Sequence, residues 1–583
     1  MLRRMRLSTS LVLLMATAAS AAPPSSSPAG DAVRAVGAEY LKALTAESLF
    51  LQLRQGLPVS RLPDITLPGA EARAGNARRL LDRLEAVPAA GLAEEDLLSK
   101  ELLERKLRFE AEAPRAYWLG FDVTPYVSPF GDIHSAFRAL PLKTKADADA
   151  YLALLAKYPA FVADVRARLL GQAERGIRIP KDELPAVRAF LTGATGAGSP
   201  FSVDDGRLAA LPPVEAKAFR QALGPLAGAA ERALLDTAAL LGDGYGAQAP
   251  EAVGLSQYPG GRAAYATLVK MHTTLDVTPE DVHRIVQEEV ARIEARMAEV
   301  RAKLGFAGTA ADFRESVRKN PRFVARTADE VGDRLLSYIT RIEPKVDAYF
   351  LRRPRATYGV KRLEAEREPG MTFGTYEPPT SAEPRGLYRF NGSKLEDRSL
   401  LTAGPLIYHE LVPGHHFQIA LQAENQDLPP FRREMWDTAY SEGWGDYSAA
   451  VAEEMGMYAD PYDLYGRLAM DMFISVRLVV DTGMNALGWP RAKAVRFMRD
   501  HLMESDTQIE SESLRYSVDM PGQALAYKMG SRGLRELRTR AETGLGPRFD
   551  VRRFHDCILG SGSLPLSALG HKVDAFIARE KNR

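Results

Sequence analysis

The stretch His409-Glu410-Leu411-Val412-Pro413-Gly414-His415-His416-Phe417-Gln418 gathers three of the chain's nine histidines beside a glutamate. Two histidines four apart on a helix leave the same face and reach one metal ion, which is the geometry of an H-E-x-x-H spacing. Here the fourth position is Pro413. It has no N–H to bond the carbonyl of His409, and its ring clashes there. Gly414 beside it makes a local bulge easy. On an undisturbed helix His415 would lie about 9 Å along the axis from His409 and roughly 120° round it, and His416 about 10.5 Å along and roughly 20° round. Neither placement suits a shared metal, so the segment is predicted to bulge at Pro413 and Gly414. A bulge that absorbs two residues makes His415 the second ligand; one that absorbs three makes it His416, and the spacing leaves both open.

A third ligand is expected from a second helix downstream, read over residues 433–456 and containing Ala439-Tyr440-Ser441-Glu442-Gly443-Trp444-Gly445-Asp446-Tyr447. Glu442 is the candidate. The tryptophans and tyrosines around it, Trp436 and Trp444 among them, argue for burial, and a buried carboxylate needs a partner such as a metal. Asp446 lies one turn further on the same face, where it is expected to accept the outer N–H of a metal-bound histidine. Near the C-terminus, residues 510–530 read as a helix ending near Tyr516, a Pro521-Gly522 turn, and a new helix from about Gln523. Two helix ends then present Arg515, Tyr516, Tyr527 and Lys528, donors suited to holding a carboxylate and stabilising an oxyanion.

These segments, with Arg477-Leu-Val-Val-Asp-Thr-Gly-Met-Asn-Ala-Leu-Gly-Trp489 and His272-Thr-Thr-Leu-Asp-Val-Thr-Pro-Glu-Asp-Val-His283, resemble the bacterial family known as domain of unknown function 885. The resemblance covers most of the chain. That family is itself similar to the glutamate-ligand zinc peptidases, a mostly helical group that includes angiotensin-converting enzyme and dipeptidyl peptidase III, the latter with a lengthened His-Glu motif. The resemblance implies bound zinc, a helical fold and hydrolysis of peptide bonds. Two positions depart from the family pattern. Asn485 stands where histidine is usual, and Asp446, where an apolar residue is usual, restores the E-x-x-x-D spacing of the wider group.

At the N-terminus, Arg3, Arg4 and Arg6 precede a short apolar run over residues 7–18, and Ala19-Ser20-Ala21 supplies small residues for cleavage. Residues 1–21 are predicted to be a secretory signal peptide, too short for a membrane span. Residues 22–30, rich in Pro and Ser, read as a flexible tether. The location expected is the periplasm or outside the cell. No cysteine near the cleavage site indicates a lipid anchor, and the single Cys557 excludes an intrachain disulfide.

The 583 residues exceed what one hydrophobic core usually organises, so two lobes are expected. The division is placed at the Gly/Pro-rich stretch 242–261, giving a helical lobe over 31–250 and a catalytic lobe over 251–583. Seventy-six Lys and Arg against 75 Asp and Glu leave a net charge of +1, so charge balance supports neither nucleic acid nor an anionic membrane as partner. The glycines of residues 192–200 lack the lysine and the preceding strand of a phosphate-binding loop.

Helical patterning fills residues 31–55, 72–108, 146–176 and 214–241. The clearest helix starts at Thr278 as N-cap with Pro279 at the first position, and carries Val282, Ile285, Val286, Val290, Ile293, Met297, Val300 and Leu304 on one stripe before Gly305. The exception is Gly386-Leu387-Tyr388-Arg389-Phe390-Asn391-Gly392, whose alternation predicts a strand. It is expected to be an edge strand that aligns an extended substrate by main-chain hydrogen bonds.

The sequence thus predicts a mainly α, large, two-lobed zinc-peptidase-like fold with a small β-sheet beside the active-site helix. Zn2+ is expected on His409, Glu442 and either His415 or His416, with Glu410 as general base for hydrolysis of a peptide substrate. Tyr527 or Tyr516 is assigned to the oxyanion, and Arg515 or Lys528 to a substrate carboxylate. Two alternatives stand beside this reading: a periplasmic binding or scaffold protein with a degenerate site, suggested by Pro413 and Asn485, and a hydrolase of non-peptide amides.

Overall fold

A computed structural model describes residues 27–126, 128–364, 368, 373–380 and 383–583. The predicted signal peptide and most of the predicted tether lie outside them. The first helix, Pro28–Glu47, starts inside the segment read as tether: Ser27 caps it by accepting the Gly30 N–H, and Pro28 takes the first position.

The fold is mainly helical. The helix predicted from Thr278 runs Pro279–Lys303, with the Thr278 hydroxyl accepting the Asp281 N–H and the apolar stripe buried. Other predicted helical tracts are divided. Residues 72–108 fall into Leu67–Glu85 and Glu94–Glu112, parted at Pro88 and Gly91, where Gly91 takes a positive φ. Residues 146–176 fall into Lys145–Leu155 and Tyr158–Glu174, because Pro159 starts a helix more readily than it continues one.

Three short strands form one sheet in the order β1-β3-β2: β1 Tyr358–Arg362, β2 Gly374–Glu377 and β3 Gly386–Phe390. β1 runs parallel to β3, and β2 antiparallel to it. The strand predicted from alternation is β3, but it is the central strand rather than an edge. Its backbone is used on both sides, and Leu387, Tyr388 and Phe390 are buried. The edge beside the motif is β2.

Two hydrophobic cores organise the molecule, and neither is confined to one side of position 250. One joins residues such as Phe130 and Tyr158 to Val476 and Met529; the other joins Val36 and Leu102 to Tyr440 and Phe554. The long helix Pro461–Asn485 is buried along most of its length. Beside it the helices Thr438–Glu454 and Leu525–Leu545 cross at Gly443 and Gly530, where a Cβ on Gly443 would fall 2.6 Å from the Gly530 Cα. Only glycine permits that approach.

Candidate metal centre

The motif is two helices rather than one bulged helix. Ala403–Glu410 ends at the glutamate, residues 411–414 turn with a cis Val412–Pro413 bond, and His415–Glu424 begins anew. The helix Thr438–Glu454 satisfies the groups freed by the break. Trp444 Nε1 donates to the Pro413 carbonyl at 2.9 Å, and Ser448 Oγ to the Tyr408 carbonyl at 3.0 Å. Asp437 caps this helix through the Tyr440 N–H, so the helix starts later than the sequence pattern indicated.

The interruption turns His415, not His416, toward His409. Their rings meet edge to face with centroids 4.7 Å apart. Glu442 Oε2 lies 3.3 Å from His415 Nε2 and 3.7 Å from His409 Nε2. One donor atom from each of the three residues lies within 4.8 Å of the others. A tetrahedral zinc with ligands at 2.0–2.1 Å sets its donor atoms about 3.3–3.4 Å apart. The His415–Glu442 separation matches this, the His409–Glu442 separation is slightly wider, and a gap as wide as 4.8 Å would have to close for the two imidazoles and the carboxylate to hold such an ion. Gly445 makes room: a Cβ there would lie 2.6–2.8 Å from atoms of the His409 imidazole.

His416 faces the sheet. Its Nε2 bonds the Ala356 carbonyl at 2.9 Å and its Nδ1 the Tyr376 hydroxyl at 3.0 Å, and burial lowers its pKa to about 4. A neutral ring that donates to the carbonyl and accepts from the hydroxyl fits both bonds. Its work is to fix β2 against the motif, so the alternative that made it a ligand is set aside.

Burial pushes the Glu442 carboxyl up, but hydrogen bonds from His409 and His415 hold it well below the usual carboxylate range. The opposite holds for Glu410, where burial dominates and raises the pKa against the pull of His415 and His409. The two glutamates are therefore pressed apart, one toward a permanent anion and one toward a proton acceptor.

A cavity of about 970 Å³ opens over this cluster, with His409, Glu410, His415 and Glu442 in its wall. Gly374, Thr375 and Tyr376 of β2 border it, as do Arg515 and Tyr527. Trp436 stands exposed at the border, its ring 6.3 Å from that of His415, whereas Trp444 is buried.

Three expectations need correction. Asp446 does not support a histidine; it is fully buried and bound by Arg467 Nη2 at 3.2 Å, Lys528 Nζ at 3.1 Å and Ser531 Oγ at 2.5 Å. His409 Nδ1 and His415 Nδ1 have no hydrogen-bond partner among the described residues. Lys528, paired with Asp446 and Asp471, is spent inside the protein and does not reach a substrate. Tyr516 is buried away from the cavity wall, packed near Arg477, which leaves Tyr527 as the tyrosine at the site. Asn485 likewise has a structural place: it accepts the Leu255 N–H at 2.9 Å and donates to the Tyr516 carbonyl at 2.8 Å.

Sequence reasoning gave no role to Arg477, which lies in the cavity wall with its guanidinium 4.3 Å from the Tyr527 ring centre. The signal was present: a lone arginine in Ile474-Ser475-Val476-Arg477-Leu478-Val479-Val480, where a buried charge calls for a reason.

No curated protein matches the chain. Among solved structures, it is similar to a protein from Colwellia psychrerythraea described as a "putative lipoprotein", at 24% identity and a TM-score of 0.87 over 94% of this chain and 99% of that one. It is also similar to a "putative lipoprotein of unknown function" from Shewanella oneidensis, at 17% identity and a TM-score of 0.71 over 92% of this chain and 99% of that one. These likenesses show a shared fold. The sequence pattern of the family described as "Bacterial protein of unknown function (DUF885)" matches residues 51–573, and the chain belongs to that family.

Proposed function

We propose that this chain is a metal-dependent peptidase that takes zinc and works outside the cytoplasm. The observation that carries the reading is the convergence of His409, His415 and Glu442 at the wall of a large cavity, with the Glu442 oxygen 3.7 and 3.3 Å from the imidazoles of His409 and His415. Zinc bound there would polarise a carbonyl oxygen and acidify a water in the open fourth position. Glu410, adjoining His409 and drawn toward the protonated form by burial, takes the proton of the attacking water and passes it to the leaving amine. Tyr527 donates its hydroxyl hydrogen to the developing oxyanion. The outer edge of β2, at the cavity border, aligns an extended backbone. Kinship with the glutamate-ligand zinc peptidases belongs to this proposal and is supported by the donor set.

Location outside the cytoplasm is supported by the basic, apolar and small-residue order of residues 1–21. Among the described residues no helix is long and apolar enough to cross a membrane.

The test is Glu410→Gln on a peptide library. Hydrolysis should fall by at least about 100-fold, the usual worth of a positioned base, with metal content and fold unchanged. Undiminished hydrolysis would remove Glu410 from the chemistry, and no hydrolysis of any peptide by the zinc-loaded wild-type protein would remove the peptidase reading.

A further inference from the structure

Next to the donor cluster, the same cavity holds a second group of side chains with unused bonding capacity. Arg477 is only 4% exposed, yet its Nε and Nη2 have no hydrogen-bond partner among the described residues. Its acidic neighbour is Glu512, with Oε2 at 4.0 Å from Nε and itself without a hydrogen bond. The other oxygen of Glu512 is engaged by Gln508 Nε2 at 3.2 Å and Arg515 Nη1 at 3.5 Å. Arg515 also leaves its Nε without a partner. Two guanidinium groups thus share the Glu512 carboxylate, Arg477 also feels the charge of Glu442, and three guanidinium nitrogens, Nε and Nη2 of Arg477 and Nε of Arg515, are left without a hydrogen bond among the described residues.

A guanidinium does not escape this by losing its proton. Buried and incompletely bonded, it is costly unless an anion completes it. The planar fork of arginine matches a carboxylate, to which it donates two parallel hydrogen bonds. Arg477 is also held in place for such a partner. Its guanidinium carbon lies over the rings of Tyr527, Phe473 and Tyr516 at 4.3, 5.2 and 5.4 Å. Tyr527 in turn stacks on His409, with centroids 6.1 Å apart and 15° between the planes. One tyrosine therefore borders both the metal donors and the arginine.

We propose that Arg477, with Arg515 beside it, binds the free C-terminal carboxylate of the substrate peptide, so that cleavage falls close to the C-terminus and releases short C-terminal fragments. This rests on the peptidase reading of the same site and adds the substrate class. An acidic side chain offers the same chemistry; the C-terminus is favoured because the anion site adjoins the donor cluster across a single ring, which limits the substrate between them to a short length.

The test measures binding by calorimetry in the Glu410→Gln variant loaded with zinc, using tetra-alanine, its C-terminal amide, and an amide of the same length ending in glutamate. Tetra-alanine should bind at least about 10-fold more tightly than its amide, the worth of a charge-assisted pair. Arg477→Met should erase that preference and Arg477→Lys restore part of it. Equal binding of acid and amide, no binding of the acid, or a preference that survives Arg477→Met would overturn the proposal. Binding of the glutamate-ending amide as well as tetra-alanine would reassign the site to acidic side chains and overturn it too. Should Arg477→Met not fold, Arg515→Gln replaces it, and an unchanged preference there counts against the proposal. Hydrolysis by the wild-type protein separates the two ideas. Equal cleavage of acid and amide overturns the carboxylate site and leaves the peptidase standing; no cleavage of any peptide with zinc bound removes the peptidase, while the binding preference still decides the anion site.

Discussion

Gly445 lacks a side chain because the His409 imidazole occupies the space that one would need. Gly445→Ala would push that ring away from Glu442, and zinc affinity is expected to fall by about 10–100-fold, the range seen when a ligand's support is altered. Competition with a chelating dye checks this; unchanged affinity would show that the His409 position does not depend on Gly445. Glu410, Glu442 and the two histidines were legible in the sequence because they are chemically conspicuous. The choice between His415 and His416 was not, since it depends on how the chain crosses residues 411–414. One arginine in an apolar run signals that Arg477 has a buried role, but the carboxylate and rings that define that role come from other elements and are not legible beside it.

At the scale of the elements, the break in the motif is held by its neighbour helix rather than by local sequence. Trp444→Phe removes the bond to the Pro413 carbonyl while keeping most of the packing. It should cost about 1–3 kcal/mol, the price of a buried acceptor left unsatisfied, read as a lower urea midpoint. A larger effect is expected where Thr438–Glu454, Pro461–Asn485 and Leu525–Leu545 are joined by Asp446, Arg467, Asp471 and Lys528. Lys528→Met leaves two buried carboxylates short of a cation and should destabilise by about 3–5 kcal/mol; urea unfolding measures it, and a loss under 1 kcal/mol would refute the assignment. The sequence placed both Asp446 and Lys528 at the active site, because spacing along one helix says which face a residue shares but not what the other helices bring to it. The sheet shows the same limit. Alternation found β3, but β2 has only four residues in a Gly/Pro-rich stretch, too few for a period to register, so the edge was assigned to the wrong strand.

For the whole molecule, helical content and the major amphipathic stripes follow from local periodicity, whereas the arrangement of cores does not. Both cores unite residues from distant parts of the chain, and a Gly/Pro-rich stretch near 250 marks a loop between helices without separating them. This interior also shelters neutral histidines. His555 is fully buried, with Nδ1 on the Tyr349 carbonyl and Nε2 on the Tyr447 hydroxyl, both at 2.9 Å, and burial lowers its pKa to about 3. His134, 2.6 Å from the Tyr158 hydroxyl, is lowered by burial to about 4. A histidine depressed in the folded state contributes stability that is full above its unfolded value of about 6.5 and is lost as pH falls toward the folded value. The pair predicts a urea midpoint that declines from pH 6.5 down to about pH 4 and on toward 3, with a loss on the order of 3 kcal/mol per histidine. A midpoint constant over that window would contradict it. The central claim is a metal centre on His409, His415 and Glu442, and elemental mass spectrometry of protein purified without chelator tests it most directly. About one zinc per chain, absent from His409→Ala, His415→Ala and Glu442→Ala but retained by His416→Ala, is the expected result; a wild-type chain that holds no metal even after zinc is supplied would contradict it.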